Sequence, residues 1–251
     1  VSIQSAFNLA PLPSACSRCA IRSQSLCGAL TDVALSALNG ISRHRHFAPG
    51  QIVVTEGEPA IFANVVSGIL VEKKGLADGR EQIVAMLFPA DFIGDAQRDS
   101  SDTTVQAVTA VTMCAFDRQG FEHLLVHHPV LAHCVLDHAM ARLENAREWM
   151  LLLGQKSAEE RVATFLLRLA LRQADAGCRH VAPDMLEPGL ELEIPISRAQ
   201  MAAYLGLTIE TVSRRMTALR DAGLVAFRDA RSIRLVNLEA LRKAAGDQDR
   251  N

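Results

Sequence analysis

The sequence predicts an α+β chain with an N-terminal antiparallel β-roll, a long central helix and a C-terminal winged helix-turn-helix. Short β-rich runs separated by turn signals fill the first half. Apolar residues then recur every seven positions between 136 and 153, and near the end two capped helical stretches meet at a glycine. At 251 residues and 49% hydrophobic content the chain can bury more than one core, and 22% charged residues argue against wholesale disorder. The expected segments are a polar, cysteine-containing arm (1–30), the roll (31–128), the long helix (129–156) and the winged module (157–251).

In the roll, the run 51–55 precedes Glu56-Gly57-Glu58-Pro59, and 63–66 precedes Ser67-Gly68. Runs 69–73 and 82–88 read as a hairpin around Asp78-Gly79, and 105–116 reads as one further strand. Short strands at this spacing fit an antiparallel roll or barrel.

In the long helix, Leu136, Leu143 and Met150 recur every seven residues, and Ala139, Ala146 and Leu153 follow three positions later. That is an a/d seam with alanines allowing close approach, the pattern of a dimerisation helix. Spanning under three heptads, the pattern also suits a helix packed on its own domain. Trp149, Leu151 and Leu152 widen the apolar surface enough for both. Ser157 and Glu160 have capping-box spacing and start a further helix through Arg172, before a looser stretch at 177–189.

Ser197 is an N-cap for a helix over 198–205, Gly206 supplies a turn, and Thr208 caps a second helix that stops at Gly223. Ile209, Val212, Met216 and Leu219 fall on one face of the second helix, the expected buried side. Glu210, Ser213, Arg214 and Thr217 share another face. An apolar back and a polar front are what a helix entering the major groove requires. Arginine there can pair with guanine, and a carboxylate can accept from cytosine. Runs 224–228 and 232–236 read as a β-wing around Asp229-Ala230-Arg231, with Arg228, Arg231 and Arg234 placed to meet phosphates. Charge agrees: residues 194–235 hold seven arginines against three acids, a local +4 in a chain of net −2.

Cys16, Cys19 and Cys27 lie within twelve residues of one another in the arm. On spacing alone they suggest zinc, with His44 or His46 as a fourth ligand, or a thiol sensor. Cys114 alone reads as a small buried hydrophobe. Cys134 and Cys178 have no partner at useful spacing and read as structural, and His123, His127, His128, His133, His138 and His180 form no ligand pattern. No Ser/His/Asp set, phosphate loop or paired carboxylates are present, so no enzyme is expected. Residues 1–15 lack a basic flank and an apolar core, and no apolar run reaches a membrane span of ~18 residues. The expectation is a cytoplasmic protein without membrane contact. The chain opens on Val1 rather than Met, which leaves room for residues upstream.

Tyr204-Leu205-Gly206-Leu207-Thr208-Ile209-Glu210-Thr211-Val212-Ser213-Arg214, and Leu151-Leu152-Leu153 leading to Ala158-Glu159-Glu160-Arg161, resemble the cyclic-AMP-receptor/fumarate-and-nitrate-reductase regulator (Crp/Fnr) superfamily. The resemblance covers nearly the whole chain. It implies a cyclic-nucleotide-binding-like jelly roll for the first half. It further implies a homodimer on double-stranded palindromic DNA that engages RNA polymerase. In the oxygen-sensing branch, the Glu-x-x-Ser-Arg pattern goes with sites resembling TTGAT-N4-ATCAA, so Glu210, Ser213 and Arg214 would read bases. That branch also implies a [4Fe–4S] cluster on Cys16, Cys19, Cys27 and Cys114. Its cyclic-nucleotide-binding members look like Phe-x-Gly-Glu followed by an Arg-Ser or Arg-Thr pair. This chain has Phe92-Ile93-Gly94-Asp95 and then Arg98-Asp99, with Asp102 nearby, which is poor company for a phosphate diester. A small-effector module without metal stands as the competing class.

Overall fold

The computed structural model describes residues 14–94, 98–175, 186–229 and 231–246. The chain divides into two compact units, Val1–Leu70 with Leu87–Arg142 and Val71–Met86 with Leu143–Asn251. Cys178, His180, Asp95, Ala230 and most of the stretch 177–189 lie outside the described residues.

The arm contains helix α1 (Ser14–Ser17) and one 3-10 turn (Leu26–Ala29), followed by α2 (Asp32–Gly40). Ser25 caps the 3-10 turn by accepting from the Cys27 amide, and Thr31 caps α2 by accepting from the Ala34 amide. Among the described residues eight strands come next. They are β1 (Ser42–Phe47), β2 (Ile52–Val54), β3 (Phe62–Ser67), β4 (Leu70–Gly75), β5 (Glu81–Leu87), β6 (Phe92–Ile93), β7 (Thr104–Ala107) and β8 (Val111–Phe116). In the first unit one sheet has the order β1-β8-β3-β6, and β2 pairs antiparallel with β7. Alternation along β3 and β8 divides two cores. Ala63, Val65, Val111 and Met113 join one cluster, while Phe62 and Phe116 join the other.

That second core positions the arm. Leu26 and Leu30 are buried in it with Leu35 and Leu38 of α2, Phe121 and Leu124 of α3 (Arg118–His127), and Leu131 at the start of α4 (Pro129–Gln155). The Phe121 ring lies 5.0 Å from Phe62, 5.5 Å from Phe92 and 5.4 Å from Phe116. Each fully buried leucine contributes about 1.5–3 kcal/mol, so Leu26 and Leu30 give the arm a real hold.

The stretch 105–116 is two strands rather than the single strand expected. Val108 and Thr109 turn the chain between them, both amides donating to the Ile69 carbonyl while Thr109 Oγ1 accepts from the Ile69 amide. Helices α2 and α3 and strand β1 were also not anticipated. β1 reads Ser-Arg-His-Arg-His-Phe with four exposed residues in a row, so it carries no apolar alternation.

In the second unit β4 and β5 are sheet neighbours, their turn closed by the Leu76 amide donating to the Arg80 carbonyl. Helix α5 (Ala158–Asp175) starts at the expected capping box, with Ser157 N donating to Glu160 Oε2 and Glu160 N to Ser157 Oγ. β9 (Glu191–Glu193), α6 (Arg198–Leu205), α7 (Ile209–Asp221), β10 (Val225–Phe227), β11 (Ser232–Leu235) and α8 (Leu238–Ala244) complete it. The wing sheet has the order β10-β11-β9, so the expected two-stranded wing gains a third strand. Among the described residues no helix is long and apolar enough to cross a membrane.

Candidate functional site

The helix pair α6–α7 is fixed by local chemistry. Ser197 and Gln200 form a reciprocal capping box at the start of α6. Gly206 ends α6 in the left-handed conformation (φ 62°), which costs glycine nothing. Thr208 then caps α7 by accepting from the Thr211 amide at 3.2 Å. Val212, Met216 and Leu219 are buried as expected, but Ile209 is 47% exposed. Side chains on a helix tilt toward its N-terminus, so a first-turn residue projects past the packed body. Glu210, Ser213, Arg214 and Thr217 are all exposed, which leaves a polar front open to solvent. Glu210's own amide, the Thr208 hydroxyl and Arg214 hold its carboxyl below the usual range, so it stays ionised. Arg215 turns away from this front to Glu159 of α5 at 3.4 Å.

Arg161 ties the module together. Its guanidinium donates to the carbonyls of Leu153 (2.6 Å), Lys156 (2.9 Å) and Leu205 (3.1 Å), linking the end of α4, the start of α5 and the end of α6. The Tyr204 carbonyl accepts from Trp149 Nε1 (3.3 Å) and from Gln82 Nε2 on β5 (3.2 Å), and Trp149 stacks on the Tyr204 ring at 4.1 Å. Trp149 was expected only as part of the apolar surface of the long helix; its bond to Tyr204, and that of Gln82, join elements 55 and 122 residues apart in the chain and leave no local signal.

On the wing, Arg231 is exposed at the turn that Asp229 closes by accepting from the Arg231 and Ser232 amides. Arg228 Nη2 (3.2 Å) and Arg234 Nε (2.9 Å) instead share Glu191 Oε1 of β9. Two of the three wing arginines expected at phosphates therefore carry one net charge between them. The sequence signal for β9 was available in Glu191-Leu192-Glu193, whose alternation buries Leu192 alone.

Helix α4 has two faces. Leu131, Trp149 and Leu152 are buried, whereas Leu136 (55%), Leu143 (43%) and Met150 (72%) are exposed in one stripe with Met140. Ala139 and Ala146 are exposed beside it and Leu153 is half-buried. The face that packs on the chain's own body and the a/d seam are thus different faces, and the seam is left uncovered.

Cys16, Cys19, Cys27 and Cys114 line a single cavity of about 240 Å³, with His44 and Asn64 in its wall. Register explains the wall: β8 places Cys114 between His44 of β1 and Asn64 of β3. Cys16 Sγ donates to Asn39 Oδ1 at 3.4 Å, and Asn64 Nδ2 donates to Cys27 Sγ at 3.7 Å. Burial pushes the Cys16 and Cys27 thiols up, and the Cys114 thiol up to about 11, with the neighbouring cysteines adding to the rise. Gathering four thiolates here needs a cationic partner. Among the described residues no three His, Cys, Asp or Glu side chains converge on one metal-ion position. His46 bonds Thr112 Oγ1 through Nδ1 at 3.1 Å. Cys134 packs against the aromatic core and lines no part of the cavity. Where a cyclic phosphate would need an arginine, Arg98 pairs with Asp102 at 3.9 Å, and Asp99 pairs with Arg118 at 3.0 Å.

A β-sheet domain, a long helix with an open apolar seam and a winged helix-turn-helix define a DNA-binding transcription regulator. Residues 160–244 match the Crp-like helix-turn-helix domain and residues 44–128 the cyclic nucleotide-binding domain. The chain is 36% identical over 233 residues to the transcriptional activator protein FnrL of Cereibacter sphaeroides, covering 92% of each. It is 37% identical over 213 residues to the nitrogen fixation regulation protein FixK of Bradyrhizobium diazoefficiens, covering 84% of this chain and 86% of that one. The structure of FixK2 from Bradyrhizobium japonicum superposes with a TM-score of 0.71 at 30% identity, over 81% of this chain and 97% of that one. The chain belongs to the Crp/Fnr family of transcription regulators.

Proposed function

We propose that the chain is an oxygen-responsive activator of anaerobic and microaerobic genes. In this reading it holds a [4Fe–4S] cluster on Cys16, Cys19, Cys27 and Cys114 and binds a TTGAT-N4-ATCAA-like palindrome as a cytoplasmic homodimer. The observation that carries the sensing half is the meeting of three arm thiols and one strand thiol around one cavity. The donor set suits such a group. Thiolates are the usual cluster ligands, and each would take a different iron, so four sulfurs can ring a cavity without three converging on a point. Thiols that burial keeps neutral lose their protons when a cationic partner takes them. When bound, the cluster would supply iron–thiolate bonds that oxygen can break.

The chain's own residues supply the rest. Cys114 stands on a strand paired on both sides, so it is the stationary ligand. The other three belong to the arm, whose hold on the unit includes Leu26 and Leu30 in the aromatic core. Leu131 of α4 shares that core, and Leu136 of the seam lies on the other face of the same helix. Tightening or loosening the arm therefore biases the first turns of α4, where the seam begins at Leu136. A few kcal/mol suffices to tip a dimer close to balance. The dimer presents two copies of α7 to the half-sites, from which RNA polymerase is engaged.

Anaerobic purification with iron and sulfide analysis, a visible spectrum before and after air, and binding to the palindrome test this reading. Iron and sulfide in cluster proportion, bleaching in air and loss of DNA binding together are expected. Colourless, iron-free anaerobic protein that still binds the palindrome would instead support a small-ligand, zinc or thiol-redox sensor.

A further inference from the structure

Asn64 is a polar residue where packing asks for an apolar one. It lies on β3, 1% exposed, between Ala63 and Val65, which face the opposite core. Its own face carries Phe62, and its register partners are Cys114 on β8 and Phe92 on β6. Asparagine is disfavoured in strands, and burying an amide without full hydrogen bonding costs about 1–3 kcal/mol. That cost is visible: Asn64 Oδ1 is buried without a hydrogen-bond partner. The amide's other end, Nδ2, points at Cys27 Sγ, 3.7 Å away, and the residue lines the thiol cavity.

A neutral thiol is a weak acceptor, whereas a thiolate makes a charge-assisted bond roughly twice as strong. The contact therefore gains most when Cys27 is a ligand. We propose that Asn64 is a positioning residue of the sensor, whose amide donates to the Cys27 sulfur and thereby sets the reduction potential of the bound cluster. This rests on the cluster reading above. Hydrogen bonds to cluster sulfurs favour the more negative, reduced state and so raise the potential. Losing the donor should lower it.

The test is Asn64→Leu, nearly isosteric and apolar, beside Asn64→Gln, which keeps the amide. Two quantities are measured on the full-length chain: the midpoint potential of the anaerobically reconstituted cluster, and the melting temperature of the cluster-free protein. Asn64→Leu should keep full iron content while shifting the reduction equilibrium about tenfold toward the oxidised form, roughly 59 mV for a one-electron couple. Asn64→Gln should shift it less. Cluster-free Asn64→Leu should melt no lower than wild type, since an unsatisfied buried amide has been removed. An unchanged potential in Asn64→Leu at full iron content overturns the proposal. So does a joint fall in melting temperature and iron content, which would make Asn64 merely structural. Wild-type chain that takes up no iron and sulfide would sink the cluster reading itself, and this inference with it.

Discussion

Around the DNA-reading helix the protein's polar groups are matched by the protein: Arg161 reaches three carbonyls, Arg215 meets Glu159, and the Tyr204 carbonyl accepts twice. Around the thiol cavity they are not. Asn64 Oδ1 is left over, and burial holds Cys16, Cys27 and Cys114 as neutral thiols. The first region is finished before it meets its partner, so its specificity rests on what it displays outward. The second would be finished by the four-thiolate group proposed above. On the proposed reading, a matched reader and an incomplete receiver are what a switch needs, because only the incomplete part can respond to conditions.

The comparison breaks most sharply at the cysteines. Serine at Cys16, Cys19, Cys27 or Cys114 should abolish the oxygen-labile chromophore, whereas Cys134→Ser and Cys178→Ser should keep it, as judged by anaerobic iron, sulfide and absorbance. A wild-type spectrum in Cys114→Ser would remove the strand ligand from the set.

The next effect falls on the seam. Leu143→Glu puts a carboxylate on each side of a two-fold contact and forfeits about 1.5–3 kcal/mol of apolar burial per protomer. Anaerobic sedimentation should then show monomers, with the dimer weakened at least about 100-fold. An unchanged dimer would place the interface elsewhere.

In cluster-free protein, Cys114 should be slow to alkylate. A thiol raised from 9.0 to about 11 stays protonated through neutral pH, with about 100-fold less thiolate at pH 8 than an unshifted one. Its labelling rate, followed by mass spectrometry, should climb with pH until about 11. A plateau near pH 9 would mean the cavity is more open to water than its burial implies.

The smallest effects separate base contacts from phosphate contacts on the finished surface. Arg214→Ala should cost on the order of 1–3 kcal/mol per half-site and flatten preference at one base, in binding measured across single-base variants of the palindrome. Arg231→Ala should weaken all sequences alike and reduce the salt slope by roughly one counterion per subunit. Arg228→Ala should do less, because Arg228 shares Glu191 with Arg234. Glu191→Ala should tighten non-specific binding by releasing both arginines. Equal losses on every variant for Arg214→Ala would make it a phosphate contact instead.

The same contrast explains what the sequence made legible. The helix-turn-helix is written in local terms, with Ser197, Gly206 and Thr208 each acting within four residues, so its boundaries could be read almost to the residue. The apolar stripe of α4 was equally plain, since a periodicity along one helix needs no knowledge of other elements. The cavity depends on strand register. That Cys114 sits between His44 and Asn64 follows only once β1, β8 and β3 are aligned, and β1 itself has no apolar alternation to announce it. Ile209 was misplaced because a face assigned by periodicity ignores where the helix begins. The pairing of Arg228 and Arg234 went unseen for the same reason as the cavity wall, since Glu191 lies on a third strand nearly forty residues upstream.

The bond from Gln82 to the Tyr204 carbonyl bears on how such proteins can be recombined. The hairpin carrying Gln82 is encoded within the first half of the gene, yet residues 71–86 group with the DNA-reading part. A chimera spliced after the long helix would import Tyr204 while leaving its native hairpin behind, and the carbonyl would face whatever the host supplies. Grafts that carry 71–86 along with the C-terminal segment should melt higher than grafts that do not. The inheritable module is therefore discontinuous in the gene.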